Sequence, residues 1–251
     1  MYHFFAEPQQ ILEDRIMIEG PDVRHIRNVL RMKPGEELLL SDGTGGDYTC
    51  CIEEFTEQTV VCRILRFEAL DTEPPIQVYL FQGLPKADKL EHIIQKSVEL
   101  GVYRIIPTMC ARSVVRYDEK KQKSKQERWQ KIAESAAKQS RRGLIPKVES
   151  LVSFSRALQM AAELDLVLIP YENFKDMAQT REVLHKILPG MRIGIFVGPE
   201  GGFEPDEVQR ACAEPSSNGA GAEKISLGSR ILRTETAPLM LLSVLMFQME
   251  P

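Results

Sequence analysis

Three stretches of this chain hold residue types that do chemistry in groups. The first is Phe196-Val197-Gly198-Pro199-Glu200-Gly201-Gly202-Phe203. Its three glycines let the backbone come close to a ligand, and Pro205 can open a helix whose free N–H groups face the same space. No Gly-Lys-Ser/Thr follows, and the G-x-G-x-x-G spacing of a dinucleotide site is missing, so neither nucleotide motif applies. A tight strand-to-helix turn without a ligand explains this stretch equally well when it is taken alone. The second stretch runs Ile225-Ser226-Leu227-Gly228-Ser229-Arg230-Ile231-Leu232-Arg233-Thr234-Glu235-Thr236-Ala237. Two arginines beside a glycine turn suit a polyanion; the plainer alternative pairs Arg230 and Arg233 with acids such as Glu235 at a helix start. Thr234 with Ala237 is no capping box, although Thr234 or Ser229 can cap locally. The third, Leu168-Ile169-Pro170-Tyr171-Glu172, closes an apolar run. None of the three supplies a His or Cys cluster, so no metal is expected.

These loops need a frame that brings them together. From residue 76 onward strands alternate with helices: strand 76–81, helix 89–100, strand 104–108, helix 125–140, strand 165–169, helix 177–188, strand 192–197, helix 205–213, strand 224–226 and a last helix over 234–249. That rhythm predicts an α/β fold with a parallel sheet, and ligands of such sheets bind outside the carboxyl ends of the strands, where all three loops fall. Residues 1–70 read differently, as short strands over 16–19, 37–42, 48–55 and 59–67, with one helix over 22–32 that carries Arg24, His25, Arg27 and Arg31. A small antiparallel barrel is the expected form. The polar, proline-stiffened stretch 71–75 separates the two patterns, so the expected domains are 1–71 and 72–251.

Charge is unevenly spread. The net charge is −4, but residues 112–147 hold twelve Lys or Arg against four Asp or Glu, a local +8 that leaves −12 elsewhere. A nucleic-acid partner fits such a basic block, and so does a solvated helix face of mixed sign. Five cysteines without a C-x-x-C pair argue against a disulfide framework or zinc site. No apolar run is long enough to span a bilayer, and residues 1–5 lack a secretion pattern, so a cytoplasmic protein is expected.

Taken together, Gly198-Pro199-Glu200-Gly201-Gly202 and Leu227 through Ala237 resemble the central and final loops of the knotted SPOUT methyltransferases, and specifically of the RsmE family, which methylates N3 of a uridine in 16S ribosomal RNA. Gln95-Lys96 with Glu99-Leu100-Gly101-Val102, Arg112-Ser113-Val114, and Trp129 with Gln139-Ser140-Arg141-Arg142 fit the same family, while His25 to Arg31 and Asp42-Gly43 resemble its PUA-like barrel. The resemblance implies a C-terminal trefoil knot, a homodimer, and S-adenosylmethionine held by Leu168, Ile169, Pro170, Gly198, Pro199, Glu200, Gly201, Gly202, Ser226, Leu227, Gly228, Ile231, Leu232 and Thr234. It implies RNA of the small ribosomal subunit as partner, gripped by Arg24, His25, Arg27, Arg31, Arg112, Arg116, Arg141 and Arg142. Catalytic roles fall to Arg233, which stays protonated and so contacts phosphate or a uracil anion, and to Glu200 and Glu235 as proton acceptors. The connection 213–221 departs from the family by being longer. A 2′-O-ribose methyltransferase of the same class, a non-catalytic RNA-binding assembly factor and a small-molecule-binding protein are the competing readings. The basic barrel face speaks against the last, the paired glycine loops against the second, and the PUA-like half favours N3 of uridine over the ribose.

Overall fold

The computed structural model describes residues 1–43, 45–69 and 72–250; Asp71, at the expected domain boundary, lies outside them. The chain forms two compact units. One contains Met1–Glu73 together with Ala137–Ile145, and the other contains Pro74–Ala136 together with the rest of the described chain from Pro146. The return of nine late residues to the first unit is not visible in any local pattern.

The first unit is built on strands β1 (Tyr2–Phe5), β2 (Arg15–Glu19), β3 (Glu37–Ser41), β4 (Gly46–Phe55) and β5 (Thr59–Ala69), in the order β1-β3-β4-β5-β2. The expected small barrel forms as a curled, half-barrel sheet, and its pairing is antiparallel except for β1, which runs parallel to β3. Register shifts in β4 after Thr49 and after Ile52 bend that strand, as bulges do. Ile16, Ile18, Leu38, Leu40, Ile52 and Val60 alternate onto one face and form the core. The expected helix over 22–32 is a short α1 (Pro21–Arg24) that widens into a π-helical turn, His25–Val29, before Arg31 takes a left-handed φ of 56°. The 137–145 segment is held here by Lys138 Nζ, 2.8 Å from Asp22, and by Arg142, whose guanidinium lies 2.5 Å from Glu73.

The second unit carries a seven-stranded parallel sheet. Its strands are β6 (Gln77–Gly83), β7 (Arg104–Met109), β8 (Lys147–Val148), β9 (Val152–Ser153), β10 (Leu166–Pro170), β11 (Arg192–Val197) and β12 (Glu223–Ile225), ordered β12-β10-β11-β6-β7-β8, with β9 also on β7. Helices α2 (Lys89–Glu99), α3 (Glu119–Ser140), α4 (Phe154–Ala161), α5 (Met177–His185), α6 (Pro205–Ala213) and α7 (Thr236–Met249) connect or flank them. Strands covered on both faces are apolar throughout, as in β11, where Ile193, Ile195, Phe196 and Val197 are all buried. Phe81 of β6 stacks on Phe196 with centroids 4.4 Å apart. Helix α3 begins six residues earlier than expected because the Asp118 carboxylate accepts the Lys121 N–H at 2.8 Å, a cap at its start. Helix α4 is capped by Ser153 in the same way. It was hidden in the sequence by its short length. Burial pushes the thiols of Cys50 and Cys62 up to about 12, so both stay protonated and inert.

Candidate ligand cleft

The carboxyl ends of β12, β10, β11 and β6 lie side by side, and four loops leave the sheet there. They enclose a cleft of about 270 Å³ in the second unit. Its apolar walls are Val197, Phe203, Leu227, Leu232 and Ala237; its polar groups are Lys89, Glu172, Lys175, Glu200, Arg230 and Arg233. No cysteine lines it.

Two loops are shaped by contacts that only small residues permit. A Cβ on Gly83, at the end of β6, would sit 2.6 Å from Pro199 Cδ and 2.7 Å from Pro199 N, so Gly83 is where the 198–202 loop rests on the sheet. A Cβ on Gly198 would lie 2.9 Å from the Gly202 carbonyl carbon, which closes the turn tightly on itself. The final segment is stitched beneath that turn. The Thr234 hydroxyl donates to the Gly198 carbonyl at 2.7 Å and accepts from the Gln82 side-chain amide at 3.0 Å. Thr234 is therefore a buried tie between strands distant in sequence and not a local cap; α7 starts at Thr236, with the Thr236 and Ala237 N–H groups bonded to the Arg233 carbonyl.

Between the stitches, the backbone is unspent. Among the described residues the N–H groups of Leu227, Ser229, Arg230, Ile231 and Leu232 make no hydrogen bond within the chain, while that of Gly228 rests weakly on Ser226 Oγ at 3.3 Å. Such groups beside apolar walls can bind a flat heterocycle, its sugar and a carboxylate by direction and not by charge.

The charged groups are arranged unequally. Lys89, on the first turn of α2, reaches Glu200 Oε1 at 3.0 Å and Glu235 Oε2 at 3.5 Å. Glu200 also accepts the Lys86 N–H at 3.1 Å. Burial by itself would raise the Glu200 carboxyl, but the Lys89 hydrogen bond, the backbone N–H groups and the Lys89 charge together hold it below the ordinary range. Lys89 is correspondingly held protonated, chiefly by its hydrogen bond to Glu200. Arg230 and Arg233 are exposed and form no ion pair among the described residues, so the acid-paired alternative for them does not hold; Glu235 is engaged by Lys89 instead.

The sequence-predicted residues divide accordingly. Pro170, Gly198, Pro199, Glu200, Gly202, Ser226, Leu227, Gly228, Ile231, Leu232, Arg233 and Thr234 meet at the cleft. Leu168 and Ile169 do not: both are wholly buried within the sheet, and only the strand end at Pro170 reaches the lining. Gly201 turns outward, its carbonyl accepting from Arg112 at 2.7 Å, and Glu235 lies behind Lys89 and outside the lining. Arg112 also holds Glu204 at 2.9 and 3.1 Å, and Glu207 accepts the Ala111 N–H at 2.8 Å, so Arg112 clamps the start of α6. Arg142 is buried against Glu73 and offers no free cation, which corrects its placement among RNA contacts. Arg27 hydrogen-bonds the Thr56 carbonyl and lies over the Phe55 ring. Arg24, His25, Arg31, Arg116 and Arg141 are exposed. Lys89, Phe174 and Lys175 were not singled out by sequence reasoning; for Lys89 the one available signal was its position on the first helical turn after a strand end.

A parallel sheet whose glycine loops form a ligand cleft at four adjoining strand ends, joined in one chain to a small curled sheet, is matched by two family models. One described as an RNA methyltransferase domain covers residues 72–246, and one described as an RNA methyltransferase PUA domain covers 18–65. The class is that of the RNA methyltransferases. Ribosomal RNA small subunit methyltransferase E of Bacillus subtilis (strain 168) is 39% identical over 256 residues, spanning 100% of this chain and 98% of the relative. The protein of that name from Mycobacterium tuberculosis is 32% identical over 226 residues, spanning 88% and 82%. A crystal structure of ribosomal RNA small subunit methyltransferase E from Neisseria gonorrhoeae, bound to S-adenosyl methionine, superposes with a TM-score of 0.82 at 33% identity over 99% of this chain and 98% of that one. The chain belongs to the ribosomal RNA small subunit methyltransferase E family.

Proposed function

We propose that this protein transfers a methyl group from S-adenosylmethionine to N3 of a uridine in 16S ribosomal RNA of the small ribosomal subunit. The observation that carries the reading is the cleft of unspent backbone N–H groups between the 198–202 and 226–234 loops, with two unpaired arginines at its edge. The cleft suits the cofactor: apolar walls at Val197, Leu227, Leu232 and Ala237 take the adenine, and the free N–H groups of 227–232 serve the nucleoside and the carboxylate. When bound, S-adenosylmethionine supplies an electrophilic methyl group on a sulfonium. The protein must then align N3 of the base with that methyl group and see its proton removed. Arg233, always cationic and exposed at the edge, serves the RNA phosphate or the uracil anion. Of the two expected acceptors, Glu200 lines the cleft and is within reach of that chemistry, whereas Glu235 stands behind Lys89, and the step needs no metal or covalent intermediate.

The exposed Arg24, His25 and Arg31 of the first unit, with Arg116 and Arg141, are the cations available to RNA phosphates. The target base must leave its stack, at a cost of a few kcal/mol. We further propose the trefoil threading implied by the family, in keeping with the Thr234 stitches to Gly198 and Gln82, and a homodimer. The exposed row Met240, Val244 and Phe247 on α7, the last 92% exposed, is an apolar stripe of the kind a second copy covers. No helix among the described residues is long and apolar enough to cross a membrane, in keeping with cytoplasmic action on ribosomal RNA.

The deciding experiment incubates the protein with labelled S-adenosylmethionine and small ribosomal subunits lacking the modification, followed by nucleoside analysis. 3-Methyluridine is expected. A 2′-O-methylated product would move the acceptor to the ribose, and tight cofactor binding without transfer to any small-subunit RNA would overturn the reading.

A further inference from the structure

Lys89 touches both chemical loops at once. Its ammonium lies 3.0 Å from Glu200 of the loop after β11 and 3.5 Å from Glu235 of the segment before α7, and it lines the cleft. Glu200 is fixed on its other side by the Lys86 N–H, from the loop that follows β6. Glu235 Oε2 is buried and makes no hydrogen bond among the described residues; the ammonium is its ionic partner. Lys89 itself is anchored by α2, whose Leu90, Ile93 and Ile94 are fully packed. The three side chains sum to one negative charge held at the rim of a cleft in which a proton must be lost.

We propose that Lys89 is a positioning residue for methyl transfer: by bridging Glu200 and Glu235 it holds the Glu200 carboxylate aimed at the proton that N3 gives up. This rests on the reading above. In the step, the N3–H bond breaks and its proton passes to a carboxylate oxygen of Glu200. The N3 electron pair then forms the bond to the methyl carbon as the methyl–sulfur bond breaks, its electrons remaining on sulfur. Of the two carboxylates, Glu200 lies the closer to the ammonium and is the one that lines the cleft. It is the one placed to receive the proton, while Glu235, outside the lining, holds the ammonium from the other side. Lys89 contributes no proton and need not touch the substrate. Its role is to keep the two like charges from swinging apart.

The sign of the pH effect follows. Lys89 depresses the Glu200 carboxyl, so removing the ammonium raises it, and a rate that needs ionised carboxylates falls off at higher pH than in the wild type. The test compares wild type, Lys89→Met and Lys89→Arg in single-turnover methyl transfer across pH, with cofactor affinity from calorimetry and thermal unfolding as controls. Lys89→Met is expected to lose at least thirtyfold in rate at pH 7, to move the acid limb of the profile upward, and to bind S-adenosylmethionine within threefold of wild type; Lys89→Arg restores most of the rate. A Met variant with the wild-type rate and an unmoved limb overturns the proposal. So does one that loses cofactor affinity in step with rate, which would make Lys89 a cofactor ligand. Carbon-13 titration of the Glu200 and Glu235 carboxyls in the cofactor-free protein is read beside these. If the wild type methylates no small-subunit RNA, unmoved carboxyl titrations in Lys89→Met still overturn the proposal, and an upward-shifted Glu200 still supports the ionic bridge.

Discussion

Replacing Gly83 by alanine adds one carbon where the 198–202 loop rests on the sheet. The new Cβ would meet Pro199 Cδ at 2.6 Å, Pro199 N at 2.7 Å and the Gly198 carbonyl carbon at 2.9 Å. Ordinary contact begins near 3.4 Å, so either the loop or the end of β6 must retreat by about 0.8 Å. Two of the three atoms are backbone, so no rotamer change can relieve the clash. Overpacking of this kind costs about 1–3 kcal/mol, which for a chain of this length lowers Tm by about 2–12 °C. The displaced residues line the cleft and carry the Thr234 stitch, so binding suffers as well. A misplacement approaching 1 Å in a positioning loop costs on the order of 100-fold in rate. Gly201→Ala is the control within the same loop: the nearest atoms to its Cβ would be Arg112 side-chain carbons, from 3.3 Å, on the side away from the cleft. The assay is thermal unfolding with calorimetric titration of S-adenosylmethionine for both variants. Gly83→Ala should lose at least tenfold in affinity and Gly201→Ala less than threefold. Equal effects, or an unchanged Tm and affinity for Gly83→Ala, would refute the claim that this contact shapes the cleft.

Other substitutions separate structural from RNA-binding arginines. Arg142→Ala strands Glu73 and should destabilise the protein by an amount at the low end of about 3–5 kcal/mol in urea unfolding, whereas Arg24→Ala with Arg31→Ala should leave stability alone and flatten the salt dependence of RNA binding by about 0.7–0.9 per lost phosphate contact. Phe247→Asp, on the exposed stripe of α7, should shift the protein from dimer to monomer in analytical ultracentrifugation without changing its circular dichroism. Asp165 is held below its ordinary value chiefly by the Arg192 backbone N–H, so it adds stability above about pH 4 that is lost as pH falls through the depressed pKa. The stability gap between wild type and Asp165→Asn should therefore be full at pH 7 and close on acidification, as measured by urea midpoints.

Much of the frame was legible because its signals are local. Strands β10 and β11 announce themselves by continuous apolar runs, α6 by Pro205, and the glycine loops by composition. What was misread depended on partners far along the chain. Strand β1 is only four residues long and exists because β3 accepts it. Arg112 and Arg142 look alike as basic residues in a basic block, yet one clamps Glu204 and the other is buried against Glu73. Leu168 and Ile169 were drawn into the site by sitting next to Pro170, but a strand places successive side chains on opposite faces of the sheet, and both faces here are core.

By itself the sequence determined the class of fold, the two glycine loops and the family, since each rests on residue types at short, fixed spacing. The tertiary structure alone decided which charges are free, because ion pairing depends on distances of a few ångströms between residues far apart along the chain. Lys89 with Glu200 and Glu235, and Arg142 with Glu73, are pairs of that kind.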